Sequence, residues 1–295
     1  MLPLESVPNV SEGRDARVID ELARRFSGRA RLLDVHSDGD HHRSVFTLVS
    51  DDEGIVESLV EGIAAAVELV DLRTHDGVHP RVGAADVVPV VPIAPEDLER
   101  ANRAAVAVAE RVGNELGVPA FLYGAVGAGR RPAFFRAGGP EALQERIDAG
   151  DVTPDFGPAK LHETAGAVLV GARPPLVAFN VDLATSDVEV ARTIAALVRE
   201  AGGGFPGVRA LGLALPRSER VQVSMNIEDW RVAPLHELVA RIAAEAETRG
   251  VATVGSELVG LIPAGAVLEA AAPALGLAEL GPARVLELRL LESVD

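Results

Sequence analysis

The chain has no cysteine, a single lysine (Lys160), one tryptophan and one tyrosine, and only 3% of its 295 residues are aromatic. Without cysteine there are no disulfides, no thiolate nucleophile and no cysteine-ligated metal. A reducing compartment suits such a chain, and a cytoplasmic protein is expected. Scarce aromatics leave few platforms on which single-stranded nucleic acid can stack. Positive charge is short as well: 28 Lys plus Arg oppose 44 Asp plus Glu, a formal charge of −16. Such a field repels phosphate backbones, so no nucleic-acid partner is expected. Long apolar runs are missing too. The most apolar stretches, near 87–93 and 264–275, are broken by Pro or Glu and fall below the ~20 residues of a membrane helix. The first residues show no basic flank ahead of an apolar stretch, and no membrane partner is expected.

What is present is an aliphatic, alanine-rich composition, 48% hydrophobic and 24% charged, sufficient to bury cores in two compact units. Periodicity predicts a strand over 4–10, a helix over 15–26, strands over 30–36 and 44–50, and a helix over 52–70. A strand over 86–92 follows, its prolines suited to a sheet edge or strand end, then a helix over 95–116 and a strand over 119–124. Residues 124–139 read as turns and 151–164 as a polar loop. A hairpin is expected from strands 167–170 and 176–181 around Gly171-Ala-Arg-Pro-Pro175. Beyond it come a helix over 186–201, strands over 208–215 and 220–226, a helix over 234–249, a strand over 251–254 and a helical tail over 264–291. Both halves thus read β-α-β-β-α-β, the order of a ferredoxin-like sandwich. The expected fold class is α+β with two ferredoxin-like subdomains, 1–173 and 174–295.

Five of the seven histidines fall in two polar clusters at strand ends: His36, His41 and His42, then His75 and His79. Gly77 and Pro80 break any helix through the second cluster, so the four-residue spacing of His75 and His79 does not present them on one helical face as a zinc motif does. A neutral imidazole accepts one proton and returns another, as transfer between amines requires, and His79 is the candidate for that role. Lys160, His162 and Arg209 are candidates for local positive charge in an acidic chain. The glycine-rich stretches 124–129 and 202–204 fit no phosphate-loop spacing and read as flexible linkers.

The motifs Val7-Pro-Asn-Val-Ser-Glu-Gly13, Leu33-Asp-Val35, Arg43-Ser-Val-Phe-Thr47 and Gly77-Val-His-Pro-Arg-Val-Gly-Ala-Ala-Asp-Val87 resemble the glutamate formimidoyltransferases. The likeness continues through Phe121-Leu-Tyr-Gly124, Pro154-Asp-Phe-Gly-Pro158, Gly171-Ala-Arg173, Ala178-Phe-Asn180, Gln222-Val-Ser224 with Asn226, and Val254-Gly-Ser-Glu-Leu-Val-Gly260. It implies two ferredoxin-like subdomains around a ligand cleft, a homodimer, and transfer of the formimino group from N-formimino-L-glutamate to N5 of tetrahydrofolate, in the form without a cyclodeaminase domain. Tetrahydrofolate is then a co-substrate, and no metal is expected. The family's catalytic histidine falls on His79. Its folate-contacting stretches fall on Gly157, Pro158, Ala159, Lys160, Leu161, His162, Glu163, Thr164, Ala165 and Gly166, and on Gly203, Gly204, Val208, Arg209 and Gly212. Asp34, His36, Asp40, Arg43, Arg81 and Arg173 are the expected substrate-binding residues. Two positions, His36 and Val78, depart from the carboxylates of vertebrate members, so the resemblance implies that either Asp38, Asp40 or Asp76 supplies that charge or the substrate differs. Two alternatives of other classes remain beside the transferase: a folate-binding carrier or sensor, and a metal-dependent formiminoglutamate hydrolase.

Overall fold

Two short strands, β1 (Leu4–Ser6) and β2 (Asn9–Val10), stand where one strand is expected over 4–10. The break falls at Val7-Pro8, where Pro8 has no N–H to give a ladder. The computed structural model describes residues 2–286, 288 and 289, and its contacts divide the chain into two units, Met1–Pro175 and Leu176–Asp295.

In the first unit α1 (Ala16–Phe26) is capped by Asp15, whose carboxylate accepts from the Arg17 and Val18 amides, a device that contributes about 1 kcal/mol. Then come β3 (Arg31–Asp38), β4 (Arg43–Ser50), α2 (Asp52–Leu69), β5 (Ala85–Pro92), α3 (Leu98–Glu115) and β6 (Ala120–Gly124). Two helices follow, α4 (Pro132–Arg136) and α5 (Gly139–Asp148), and β7 (Val168–Ala172) is the last strand of the unit. The tract expected as turns holds α4, and α5 begins at its end, because Pro132 and Pro140 occupy first-turn positions where a missing N–H costs nothing.

The sheet runs β3, β4, the β1/β2 pair, β5, β7, β6. Neighbours are antiparallel from β3 to β5 and parallel from β5 through β7 to β6. Helices α1, α2 and α3 cover one face through Leu22, Phe26, Leu59, Ile63 and an alanine-valine stripe at 101, 104, 105, 108, 109 and 112. Each large side chain so buried stabilises by about 1.5–3 kcal/mol. On the other face α4 and α5 form a smaller core with Phe121, Phe135, Leu143, Ile147 and Leu169 at the β6–β7 end.

Two expectations are corrected here. Residues 167–170 and 176–181 do not form a hairpin: β7 pairs in parallel with β5 and β6, while the next strand lies in a separate sheet. The Arg173-Pro-Pro175 segment is the crossing between units, not a turn. Likewise, of the two placements expected for its prolines, Pro92 does close β5 at the strand end, but β5 is central and Pro89 lies within it. Pro89 is tolerated there because it lies level with the gap between β1 and β2: Ser6 pairs with Val90 and Asn9 with Val87. The Pro89 carbonyl accepts from Ser6 Oγ at 2.6 Å.

The second unit comprises β8 (Val177–Leu183), α6 (Val188–Val198), β9 (Val208–Leu215), β10 (Arg220–Ile227), α7 (Leu235–Glu247), β11 (Thr253–Val259) and α8 (Ala264–Ala274). Its sheet order is β11, β8, β10, β9, all antiparallel, with Ile194, Val198, Leu238 and Ile242 of the helices packed on it. The helical tail expected to 291 is interrupted: α8 ends at Ala274, ahead of Gly276 at φ 67°, and residues 286, 288 and 289 are helical again; its positions 287, 290 and 291 lie outside the described residues. Gly204 is no flexible linker, since a Cβ there would meet the Val198 backbone at 2.4 Å. Among the described residues no helix is long and apolar enough to cross a membrane.

Candidate active site

The loop between α2 and β5 carries the second histidine cluster, and its backbone is pinned at several points. Leu72 N donates to Thr164 O at 2.8 Å and Val78 N to Asp40 O at 3.2 Å, while Arg81 donates to Gly77 O. Gly77 is required: a Cβ there would lie 2.3 Å from the His41 carbonyl, so the loop presses directly on the β3–β4 turn.

The histidines divide by what their ring nitrogens do. His42 and His75 stack with centroids 4.2 Å apart. His75 Nδ1 accepts from Gly77 N at 3.2 Å, so its proton sits on Nε2, which donates to the His42 carbonyl at 2.9 Å. Burial and the nearby Arg81 charge bring His75 down to about 4. His42 Nδ1 accepts from Gly13 N at 3.1 Å, and burial lowers its pKa as well. These two rings brace the loop, and with both nitrogens engaged His75 has no lone pair to give a metal. Among the described residues no group of three or more His, Asp or Glu is arranged to hold a metal ion.

His79 is different. It is half-buried, its ring centroid lies 5.8 Å from that of His41, and its Nδ1 is 2.9 Å from Arg43 Nη1 and 2.8 Å from the Pro80 carbonyl. Arg43 leads into a charge cluster: Nη1 donates to Asp86 Oδ2 at 3.1 Å, and Nε donates to Asn9 Oδ1 at 2.8 Å. Arg136 of α4 donates to the same Asp86 oxygen, and Val82 N donates to Asp86 Oδ1 at 2.8 Å. Burial alone would raise the fully buried Asp86 carboxyl; Arg136 and Arg43 together hold it below its ordinary range. Burial and Arg136 bring Arg43 down to about 10. For His79, burial and then the charges of Arg43, Arg136 and His41 lower the pKa well below 6.5, so the free site presents a neutral imidazole.

Strand register places further expected residues on the same sheet face. His36, Val45 and Asn9 form one row across three strands, Asp34 faces Thr47, and Asp38 faces Arg43. Arg173 follows the end of β7, where its charge acts on the half-buried Glu5 and the buried Tyr123. Tyr123, pushed up to about 12 by burial, feels Arg136 as well, so the basic groups extend from Arg43 through Arg136 to Arg173. Arg81 acts on Asp86 and Asp76. Of the carboxylates expected to replace the departed ones, Asp76 is exposed and paired with Arg14, and Asp38 caps the His41 amide at 2.6 Å.

The stretch 157–166 belongs to the first unit and closes on itself: His162 and Gly166 exchange backbone hydrogen bonds at 2.9 Å, and Leu161 N donates to Gln144 Oε1 at 2.8 Å. Ala165 N donates to His162 Nδ1 at 3.1 Å, so that histidine shapes the loop. Lys160 is exposed. Gly203, Gly204, Val208, Arg209 and Gly212 belong to the second unit, running from the turn after α6 into β9, where Arg209 is paired with Glu200 at 2.6 Å and Glu228 at 3.3 Å. Sequence reasoning assigned no role to Arg136 or Asp86. Asp86 stands in a quoted motif, but Arg136 carried no signal, lying in a tract read as turns.

The first unit matches the model of the formiminotransferase domain, N-terminal subdomain, over residues 3–173, and the formiminotransferase domain model matches residues 178–275. The chain is 42% identical over 276 residues to the glutamate formimidoyltransferase of Streptococcus pyogenes serotype M1, covering 91% of each chain. It is 38% identical over 301 residues to that of Thermoplasma acidophilum, covering 99% of this chain and 98% of the relative. Against the formimidoyltransferase-cyclodeaminase of Sus scrofa the identity is 41% over 281 residues, 91% of this chain and 52% of the pig protein. The two models follow one another along most of the sequence, with Arg43, His79 and Asp86 inside the first, and the chain belongs to the formiminotransferase family.

Proposed function

We propose that this chain is a transferase that moves the formimino group of N-formimino-L-glutamate to N5 of tetrahydrofolate, giving 5-formiminotetrahydrofolate and glutamate. Support comes from family membership and from two relatives named glutamate formimidoyltransferase. The observation that carries the chemistry is a neutral, half-buried imidazole, His79, beside a buried guanidinium. N5 attacks the amidine carbon and a new C–N bond forms. His79 takes the N5 proton and delivers it to the glutamate nitrogen, whose bond to that carbon then breaks. The tetrahedral intermediate is cationic overall, so Asp34 or Asp40 is proposed to steady it where acyl transfer would need an oxyanion hole.

Arg43, Arg81 and Arg173 are proposed to attract the substrate carboxylates, which match a guanidinium fork. Arg43 has Nε and Nη1 engaged by Asn9, Asp86 and His79, so its contribution is charge at short range. His36 is proposed beside them, on the row it shares with Asn9. Folate is assigned to the loop Gly157 to Gly166 and to the stretch of Gly203, Gly204, Val208, Arg209 and Gly212. The fold reading is two ferredoxin-like subdomains, 1–173 and 174–295. It is supported by the order fourth, first, third, second that β5, β1/β2, β4, β3 and β11, β8, β10, β9 share. A cysteine-free chain of charge −16 supports a cytoplasmic enzyme without nucleic-acid partners, and the homodimer rests on the family resemblance.

Incubation with formiminoglutamate, with and without tetrahydrofolate, tests the reaction. Glutamate release that requires folate is expected; release without folate would mean hydrolysis, and no release would leave a carrier. A His79→Ala variant that still binds tetrahydrofolate should lose ~10²- to 10⁴-fold in turnover. Undiminished transfer would remove His79 from the mechanism.

A further inference from the structure

His79 Nδ1 has two neighbours at hydrogen-bond distance with opposite demands. Arg43 Nη1, at 2.9 Å, only donates; the Pro80 carbonyl, at 2.8 Å, only accepts. A ring nitrogen carries either a proton or a lone pair, so one contact is satisfied at the expense of the other. Where Arg43 prevails, the proton sits on Nε2, and the lone pair a base needs is spent on a guanidinium. Where Pro80 prevails, Nδ1–H donates to the carbonyl and Nε2 holds the lone pair.

What Arg43 does therefore depends on its other acceptor. Asp86 Oδ2 lies 3.1 Å from the same Nη1. The carboxylate is fully buried, its second oxygen is fixed by Val82 N, and its first is shared with Arg136. A buried carboxylate is a stronger partner for a guanidinium than a neutral imidazole is. The charged and titratable groups that act on His79 are Arg43 from β4, Arg136 from α4 and His41 from the β3–β4 turn; Asp86 from β5 acts through the two arginines. Without Asp86, two guanidiniums would press on the ring with no carboxylate between them.

We infer that Asp86 is a positioning residue for His79: by retaining Arg43 it lets Nδ1 give its proton to the Pro80 carbonyl and leaves Nε2 as the nitrogen that receives the proton. The catalytic half of this inference rests on the transfer reading above. In that reaction the proton passes from N5 to Nε2 and from Nε2 to the departing glutamate nitrogen, while Nδ1–H stays on Pro80 throughout. The ring-proton half concerns the free protein and does not depend on any substrate.

The experiment is ring-nitrogen NMR of the full chain labelled with ¹⁵N-histidine, near neutral pH, with His79→Gln assigning the signal. The parent, Asp86→Asn, Arg43→Met and the Arg43→Met/Asp86→Asn double variant are compared. The parent and Arg43→Met are expected to show a protonated Nδ1 and a bare Nε2. Asp86→Asn should reverse the pair, and the double variant, which no longer has the competing donor, should return it. Turnover of Asp86→Asn should fall ~10²-fold or more, with KM for formiminoglutamate within about threefold of the parent. A purely structural role would lower stability without moving the ring proton. Nε2–H in the parent, or an Asp86→Asn variant that keeps Nδ1–H, overturns the inference. Should Asp86→Asn fail to fold, Asp86→Ser takes its place with the same expected reversal, and a ring proton that stays on Nδ1 there overturns the inference. A parent that shows the expected ring state but transfers nothing refutes the transfer reading alone.

Discussion

Acid tests the loop that carries His79. Burial and the Arg81 charge hold His75 at about 4 in the folded chain, whereas an unfolded histidine titrates near 6.5. Between those values the unfolded chain binds the extra proton. The stability due to neutral His75 is therefore complete above pH ~6.5, declines as pH falls toward ~4 and has nothing further to lose below that. The full difference corresponds to ~3.4 kcal/mol at about 1.36 kcal/mol per pH unit, and screening of a half-buried ring reduces it to roughly 2 kcal/mol. His42 and His79 shift in the same direction and steepen the total slope. Denaturant midpoints between about pH 7 and pH 4 measure it. His75→Asn is the comparison, because an amide oxygen can accept from Gly77 N in place of Nδ1 but does not titrate. The parent should lose about 2 kcal/mol more than the variant over that window. Identical pH dependence in the two proteins would refute the assignment of His75 as a neutral brace.

Gly62→Ala in α2 would set a Cβ 2.0 Å from the Phe26 ring, which packs on Phe46 with centroids 5.2 Å apart. The overpacking cost of about 1–3 kcal/mol should outweigh the gain of up to ~1 kcal/mol in helix propensity, lowering the thermal midpoint. Gly212→Ala would meet the Arg192 amide nitrogen at 2.2 Å. Backbone cannot yield as a side chain does, so β9 and α6 must separate, and tetrahydrofolate affinity measured by calorimetry should fall. Transfer should survive a chelator, since both ring nitrogens of His75 are already engaged. A loss restored by added divalent cation would overturn the acid–base scheme.

Much of this architecture is legible in periodicity, because α1, α2 and α3 bury one stripe each and β3 alternates exposed with half-buried residues. The partner of β7 is not legible: an apolar run shows that a strand exists and not which sheet accepts it. The Gly138-Gly139-Pro140 signal reads as a turn, yet Gly138 at φ 79° is the N-cap of α5. In the site, the irregular loop and His79 as its candidate base were open to sequence reasoning, whereas the contact of His79 with Arg43 was not. Arg136 was not, because its importance comes from a short helix that brings its guanidinium to Asp86 of β5. Asp86 was not either, since only the three-dimensional arrangement reveals a carboxylate with no exposure held between two guanidiniums.

The interruption of the first strand also guards its alignment. Pro8 and Pro89 both lack an amide hydrogen, and the observed pairing sets Pro89 opposite Val7 and Pro8 opposite Val88 in the gap between β1 and β2, where Asn9 Nδ2 donates to the Val7 carbonyl at 2.8 Å in place of the missing Pro89 amide. Sliding that strand along β5 would bring a carbonyl of β1 or β2 opposite the Pro89 ring and strand it without a donor, a cost of about 1–3 kcal/mol once buried. The same slide would draw Asn9 away from Arg43. Mispaired intermediates are thereby disfavoured while the chain is still folding, so the row that steadies the guanidinium beside His79 is assembled in one alignment.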